Sequence, residues 1–310
     1  MAQGIYRVIA AAALLALAFA GSARATCDGA PALHLDAVAP NVWRVPAARG
    51  QPDERNGGVT IELVLVRDGS RLWLVGSGPT PAFGAALACA ARRVTGRPVS
   101  DLINTHVAPE LSLGNSAFTS ARLWALPEVI AAMQERCGQC LARLKDQLGP
   151  AGASLRNEAI RVPTRAVRSG QRLGPFDALA LDRQPGEPAL VLRLRRTRLV
   201  IAQGLLWAGA VPDLYGTTSE ALLRSLDELR DFSAGARLIG EQGGVADGAA
   251  LSMQIGYLQA LREAVRERLE RGEVQGEVPL PAYAELPGYA EQHPLNVQRV
   301  WRELEPELFR

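Results

Sequence analysis

Apolar and polar residues repeat along this chain with the two periods that distinguish strands from helices. Short segments rich in Val, Leu and Ile predict strands, and longer segments with an apolar residue every three or four positions predict amphipathic helices. The predicted strands are 42–46, 59–67, 72–75, 99–103, 122–125, 160–162, 178–181, 189–194, 199–201 and 237–239. The predicted helices are 79–94, 127–148, 219–229, 253–269 and a last one after residue 294 that carries Val300, Trp301, Leu304 and Leu308. Strands and helices alternate in two successive blocks, which favours an α/β protein with two sheets packed face to face and helices outside.

Residues 1–25 have the pattern of a signal peptide. Arg7 supplies a positive charge, Val8 to Ala20 is unbroken apolar sequence, and Ala23-Arg24-Ala25 fits a cleavage site of small residues. The alternative, a retained anchor, is disfavoured because a membrane-spanning helix needs about 20 apolar residues. We therefore expect a periplasmic protein with no membrane span after cleavage. Its single domain would cover 26–310, with a helical extension from about residue 253.

The charge of the chain argues against a nucleic-acid partner. The sequence has 34 basic and 32 acidic residues, and cleavage would remove Arg7 and Arg24 without removing an acid. The mature protein would therefore be formally neutral, whereas nucleic-acid binding requires a clustered basic surface.

A polar segment follows the predicted strand at 99–103. His106 and Glu110 lie on this loop, and a Gly-Asn turn follows. The segment resembles the signature of the metallo-β-lactamase superfamily, in which a strand leads into a His-x-His-x-Asp-His cluster that holds one or two metal ions. His106 stands at the first histidine position, and Ala108, Glu110 and Leu111 stand at the other three positions.

Four further turns carry the same resemblance. Gly76, after Leu74-Val75, stands at the aspartate of an Asp-Thr-Gly motif. Arg183 and Gln242 stand at histidine positions, and Gly204 stands at a bridging aspartate. The resemblance implies a four-layer αββα sandwich whose metal-ligand positions are degenerate.

The histidine count leads to the same expectation. The chain has three histidines, and His34 and His293 lie outside the motif turns. A zinc site needs three or four nitrogen, sulfur or oxygen ligands. We therefore expect no cofactor and no complete catalytic set, with His106 and Glu110 as a residual polar pair. Zinc or iron is expected only under the alternative, a hydrolase with a diverged site built on that pair.

Arg183 is a candidate for anion binding. A guanidinium is permanently charged, so at this position it would repel a metal ion and attract a small anion or a neighbouring carboxylate such as Glu110 or Glu187. The alternative is a side chain that extends into solvent, where arginines are usually found.

The four cysteines predict disulfides if the protein is exported. Cys137 and Cys140 form a Cys-x-x-Cys motif within the predicted helix at 127–148. Residues three apart on a helix have Cβ atoms about 5–6 Å apart, too wide for a disulfide unless Gly138 interrupts the helix. We favour a structural bridge there over a thiol–disulfide activity, with Cys27 and Cys89 as the second pair.

Two segments resemble one branch of the superfamily. Cys137-Gly-Gln-Cys140-Leu141 and residues 293–305 are similar to exported proteins named quinoprotein relay system metallohydrolases. The resemblance implies a periplasmic quinoprotein dehydrogenase, or its cytochrome, as partner. The expected function is that of a non-catalytic accessory or binding protein. Trp301 would pack on the protein's own sheet or, alternatively, anchor a docking helix.

Overall fold

The computed structural model describes residues 27, 31–156 and 160–307. The predicted signal peptide at 1–25 lies outside these residues and stays a prediction. None of the described helices is both long and apolar enough to cross a membrane.

The first of two mixed sheets contains the first seven strands in sequence order. These are β1 Asp36–Ala39, β2 Val42–Val45, β3 Leu63–Asp68, β4 Arg71–Val75, β5 Asp101–Ile103, β6 Arg122–Ala125 and β7 Arg165–Ala166. Strands β1 to β4 pair antiparallel, and β4 to β7 pair parallel. The parallel half brings the chain ends of β4, β5 and β6 to one edge of the sheet.

The second sheet has six strands in the order β13-β12-β11-β10-β9-β8. They are β8 Arg172–Leu173, β9 Phe176–Gln184, β10 Glu187–Leu194, β11 Leu199–Ile201, β12 Arg237–Ile239 and β13 Val245–Ala246. Only β11 and β12 pair parallel. The long β9–β10 hairpin ends in a turn at Gln184–Glu187.

Within the described residues, six α-helices flank the sheets. They are α1 Pro81–Thr95, α2 Pro109–Ser112, α3 Pro127–Gln147, α4 Ser219–Phe232, α5 Gly248–Glu270 and α6 Tyr289–Leu304. The ends of α1 match its sequence signals. Thr80 caps the first turn by accepting a hydrogen bond from the Phe83 amide at 3.0 Å, and Gly96 ends the helix in a left-handed conformation.

Clusters of buried apolar residues hold the layers together. Trp73 and Ile103 of the first sheet pack with Phe176 and Leu192 of the second. On the outer faces, α1 packs on the first sheet, and α4, α5 and α6 pack on the second. The predicted four-layer αββα sandwich is confirmed.

The segment at 160–162 does not form the predicted strand. Ile160 and Val162 pack at the edge of the inter-sheet core, which explains their apolar character. The carbonyl of Arg161 accepts a hydrogen bond from the Asn115 side chain at 2.8 Å rather than from a neighbouring strand. Apolar periodicity alone does not distinguish a strand from an extended segment of this kind.

The predicted pairing of the cysteines was half right. Cys27 and Cys89 form a disulfide with a Cα–Cα distance of 5.5 Å. Cys137 and Cys140 are free thiols, because α3 continues through Gly138 and keeps them on successive turns. The prediction of a Cys137–Cys140 disulfide was therefore wrong.

The environment of these thiols does not favour redox chemistry. Burial raises the pKa of Cys137 to about 11 and also raises the pKa of Cys140. Reactive cysteines instead have a lowered pKa, because the thiolate is the nucleophile. A thiol–disulfide activity at this motif is therefore disfavoured.

Candidate functional site

A cavity of about 520 Å³ opens at the edge of the sandwich where the parallel strands end. Its walls come from one face of α3, part of α6, the β9–β10 turn, and the loops before β3 and after β5, β11 and β12. The charged and imidazole side chains in its wall are Arg136, Arg143, Arg183, Arg299, Glu110, Glu187, Glu241, Asp213 and His106. The three candidates from the sequence, His106, Glu110 and Arg183, are all brought together in this cleft.

His106 is almost fully buried at the end of β5. Its Nε2 lies 3.5 Å from Oε1 of Glu241, and its Nδ1 lies 3.2 Å from the hydroxyl of Thr105. Thr105 in turn donates to Oε1 of Gln203 at 2.8 Å. His106 is therefore fixed on one ring nitrogen and faces a carboxylate with the other, and the two form an ion pair when the imidazole is protonated.

Glu241 is the site residue that sequence reasoning missed. Its Oε2 accepts a hydrogen bond from the Gly204 amide at 2.7 Å, which aims the carboxylate at His106. The available signal was a glutamate in the glycine-containing turn after β12.

Gln242, the residue assigned to a ligand position in this turn, has a different role. Its side-chain amide donates to the Gly50 carbonyl at 3.0 Å and accepts from the Gly50 amide at 3.2 Å. It therefore ties the loop before β3 to the second sheet.

Two positions that the resemblance assigned to metal ligands, Leu111 and Gly76, lie in the core. Leu111 is fully buried in the cluster beneath the first sheet. A Cβ atom at Gly76 would lie 2.5 Å from Cδ1 of Leu111 and 2.6 Å from Cδ2 of Leu63. At Gly204, a Cβ atom would lie 3.0 Å from Nδ1 of His106. Of the remaining positions, Ala108 lines the cavity without a polar group.

Arg183 faces the cleft and does not extend into solvent. Its Nε donates to the Gly204 carbonyl at 3.0 Å, and Nη2 reaches the Tyr215 carbonyl at 3.4 Å. Burial lowers the pKa of the guanidinium, and four nearby carboxylates, led by Glu241, partly oppose that effect. An arginine remains cationic under these conditions, so Arg183 brings a permanent positive charge to the cleft.

Glu110 is buried beside the same cavity. Burial raises its pKa to about 7; a backbone hydrogen bond and Arg143 lower it, while Glu241 and Asp213 raise it further. Its expected pairing with His106 is not seen, because the carboxylate that faces His106 is Glu241.

The donor set does not fit a metal ion. Within residues 27, 31–156 and 160–307, no group of three or more His, Cys, Asp or Glu side chains could hold one. His106 and Glu241 supply two donors, fewer than a zinc site requires, and the adjacent Arg183 guanidinium repels a cation.

Glu110 makes stability depend on pH. Its folded pKa lies above the ordinary value of 4.5, so the folded state binds the proton more tightly and stability falls as the pH rises from about 4.5 to 7. Relative to Glu110→Gln, the wild type should lose about 2–3 kcal/mol of unfolding free energy across that range. Urea unfolding from pH 4.5 to 8 measures this loss.

The matched control is Glu135→Gln, on the exposed side of α3. It should follow the wild-type pH profile. Parallel profiles for wild type and Glu110→Gln would contradict the raised pKa of Glu110.

Solved structures with the same architecture are metallo-β-lactamases. One from Pseudomonas aeruginosa in its mono-zinc form has a TM-score of 0.59 at 12% identity, covering 74% of this chain and 96% of its own. One from Erythrobacter litoralis with β-mercaptoethanol in the active site has a TM-score of 0.58 at 15% identity, covering 73% and 96%. One from Hirschia baltica has a TM-score of 0.58 at 12% identity, covering 74% and 98%. No protein-family model and no curated protein matches the sequence. At these identities the likeness establishes the fold alone, and the chain has the metallo-β-lactamase fold.

Proposed function

We propose that this chain is an exported, non-catalytic accessory protein whose cleft binds a small anion in place of a metal ion. The observation that carries the proposal is Arg183, which directs a fixed positive charge into the cleft from a former ligand position. Such a charge opposes metal binding and favours an anion.

The balance of charges in the cleft supports an anionic ligand. Two arginines are neutralised by partners, since Arg136 pairs with Glu187 at 2.6 Å and Arg299 pairs with Asp213 at 2.7 Å. Glu110, with a pKa of about 7, is half protonated near neutral pH. Arg143 and Arg183 therefore face only Glu241 and a fractional charge on Glu110, which leaves a net positive potential.

We place the protein in the periplasm, as an accessory of a quinoprotein dehydrogenase or its cytochrome. Support for export comes from the signal pattern at 1–25 and from the Cys27–Cys89 bridge, since disulfides persist in oxidising compartments. Support for the partner comes from the resemblance of 137–141 and 293–305 to exported proteins of such systems.

A second candidate function is a metal-dependent hydrolase with a diverged site. One observation favours it: His106 and Glu241 bring an imidazole and a carboxylate within 3.5 Å of each other beside Glu110 in one cavity. In that case Glu241 would take the role first assigned to Glu110, and zinc or iron would be the cofactor.

Metal content separates the two candidates. Protein purified without chelator should contain far less than one zinc or iron per chain by elemental mass spectrometry, because two donors do not hold a metal tightly. His106→Ala should leave that content unchanged.

The matched control is His34→Ala, since His34 is exposed and lies outside the cleft. About one tightly bound ion per chain, retained in His34→Ala and lost in His106→Ala, would overturn the proposal and establish the hydrolase.

A further inference from the structure

One face of α3 supplies a row of polar groups to the cleft. Arg136, Cys140, Arg143 and Gln147 are spaced by four, three and four residues, so they share a face of the helix, and all four line the cavity. Three polar atoms in this row are buried without a hydrogen-bond partner among the described residues: Nε of Arg136, Nε of Arg143 and Oε1 of Gln147. Most buried polar atoms in folded proteins have a partner, so this row is suited to contact a bound molecule.

Arg143 is the cation whose hydrogen-bonding edge is free. Its guanidinium lies 4.6 Å from the centroid of the Tyr215 ring. A stacked guanidinium uses its face and keeps its N–H groups in the plane for a ligand. The other arginines of the cleft are engaged, because Arg136 and Arg299 form ion pairs and Arg183 donates to two backbone carbonyls.

An apolar rim lies beside this cation. Tyr215 and Leu295 are 56% and 42% exposed, and both line the cavity. They are two of four large hydrophobic side chains that the described residues expose. An exposed aromatic ring and an exposed leucine at the mouth of a cleft favour a ligand with an apolar part.

We propose that Arg143 binds the carboxylate of a small monocarboxylic acid whose apolar or aromatic body lies against Tyr215 and Leu295. This inference rests on the proposed function, because it names the ligand class of the same cleft. A planar carboxylate matches the guanidinium fork with two parallel hydrogen bonds. A phosphate has no apolar part to contact Tyr215 and Leu295, and its higher charge would lie beside the carboxylate of Glu241 in the same wall.

Isothermal titration calorimetry with benzoate tests the proposal directly. Benzoate should bind the wild type, whereas benzyl alcohol, acetate and inorganic phosphate should each bind at least 10-fold more weakly. Arg143→Gln should weaken benzoate binding about 10-fold or more, since it removes a charge-assisted pair of hydrogen bonds. The affinity of Arg143→Lys for benzoate should lie between those of the wild type and Arg143→Gln. A lysine keeps the positive charge but loses the two parallel N–H donors of the guanidinium.

Two further variants make the test specific. Lys145→Gln removes a positive charge from an exposed position of the same helix and should bind benzoate as the wild type does. Tyr215→Ala should reduce the preference for benzoate over acetate severalfold, and since Tyr215 is exposed this variant should fold even if Arg143→Gln does not. Circular dichroism and thermal unfolding report whether each variant is folded.

Failure of this inference and failure of the proposed function would give different results. Absence of benzoate binding to the wild type, or equal binding by folded Arg143→Gln, would overturn the inference. Phosphate bound more tightly than benzoate, with loss in Arg183→Gln, would overturn the ligand class and leave an anion-binding cleft intact. Stoichiometric zinc lost in His106→Ala would overturn the proposed function itself.

Discussion

Deletion of residues 293–310 is expected to leave a chain that does not fold into a soluble protein. Most of α6 lies in this segment, and it buries Val297, Val300, Trp301 and Leu304 against α5 and the second sheet. Burial of each such side chain contributes about 1.5–3 kcal/mol. Their combined loss is comparable to the whole stability of a typical domain, about 5–15 kcal/mol.

Polar contacts of α6 add to this effect. Glu303 accepts hydrogen bonds from the amides of Ser219 and Glu220 at 2.8 and 3.0 Å, and so caps the first turn of α4. It also pairs with Arg262 of α5 at 2.7 Å. Removal of α6 therefore leaves the N-terminus of α4 and the largely buried Arg262 without these partners. Each loss lowers the stability of the fold further.

Soluble yield, size-exclusion chromatography and near-ultraviolet circular dichroism measure the outcome. Deletion of 305–310, which begins just after α6, is the control and should behave as the full chain does. The single change Trp301→Ala should lower the unfolding free energy by about 3–5 kcal/mol. A folded, soluble product of the longer deletion would contradict a core role, and its failure to co-purify with a periplasmic partner would instead support docking through α6.

The alternation of apolar and polar residues was sufficient to predict most of the fold. The Asp68-Gly69-Ser70 turn between β3 and β4 and the capping signals around α1 are local, so they are readable in sequence. The two-residue strands β7, β8 and β13 and the single-turn helix α2 were not predicted. Elements this short are held by neighbouring strands and loops, not by a periodic pattern of their own.

The start of α6 also differed from expectation. The sequence pattern placed its start after Pro294, whereas the helix begins at Tyr289 and contains that proline. Pro294 cannot donate a backbone hydrogen bond and normally interrupts a helix. The surrounding contacts compensate: His293 stacks on Tyr289 and its ring nitrogens contact the Tyr257 hydroxyl at 3.0 Å and the Val278 carbonyl at 2.7 Å.

The site was predicted in part, because a motif fixes where a loop lies but not which side chain turns inward. His106 and Glu110 were assigned to the cleft from their place after a strand, and Arg183 from its resemblance to a motif turn. Each of them lines the cleft. Glu241 was missed because the turn was aligned with the motif on Gln242, the next residue, whose side chain contacts the backbone of Gly50. Arg143 was missed because no motif contains it, and its role follows from the position of α3 beside the cleft.

Gly76 stands at an aspartate position of the motif that the sequence resembles, and the structure has close packing there. Gly76 has a φ of 78°, a conformation that costs other residues about 1–2 kcal/mol. Its missing Cβ would lie 2.5 Å from Leu111 and 2.6 Å from Leu63, both fully buried. Overpacking of a core costs about 1–3 kcal/mol, so Gly76→Ala should lower the unfolding free energy by about 3 kcal/mol.

Urea unfolding with two further variants isolates the clash. Gly57→Ala is the control, because Gly57 also has a positive φ, of 58°, but no atom within 4 Å of the added Cβ. It should show only the conformational cost, about 1–2 kcal/mol. In Gly76→Ala with Leu111→Ala, the clash with Leu111 is removed. The double variant should therefore be more stable than the sum of the single effects by about 1–2 kcal/mol.

The same packing around Gly76 also opposes an aspartate at this position. Gly76→Asp would add a buried carboxylate to the backbone strain and the clash, and it should destabilise the fold more than Gly76→Ala does. Since the side chain of Leu111 lies where a Cβ atom at position 76 would be, an aspartate at position 76 also requires a change at Leu111. Equal unfolding midpoints for Gly76→Ala and Gly57→Ala would contradict this coupling.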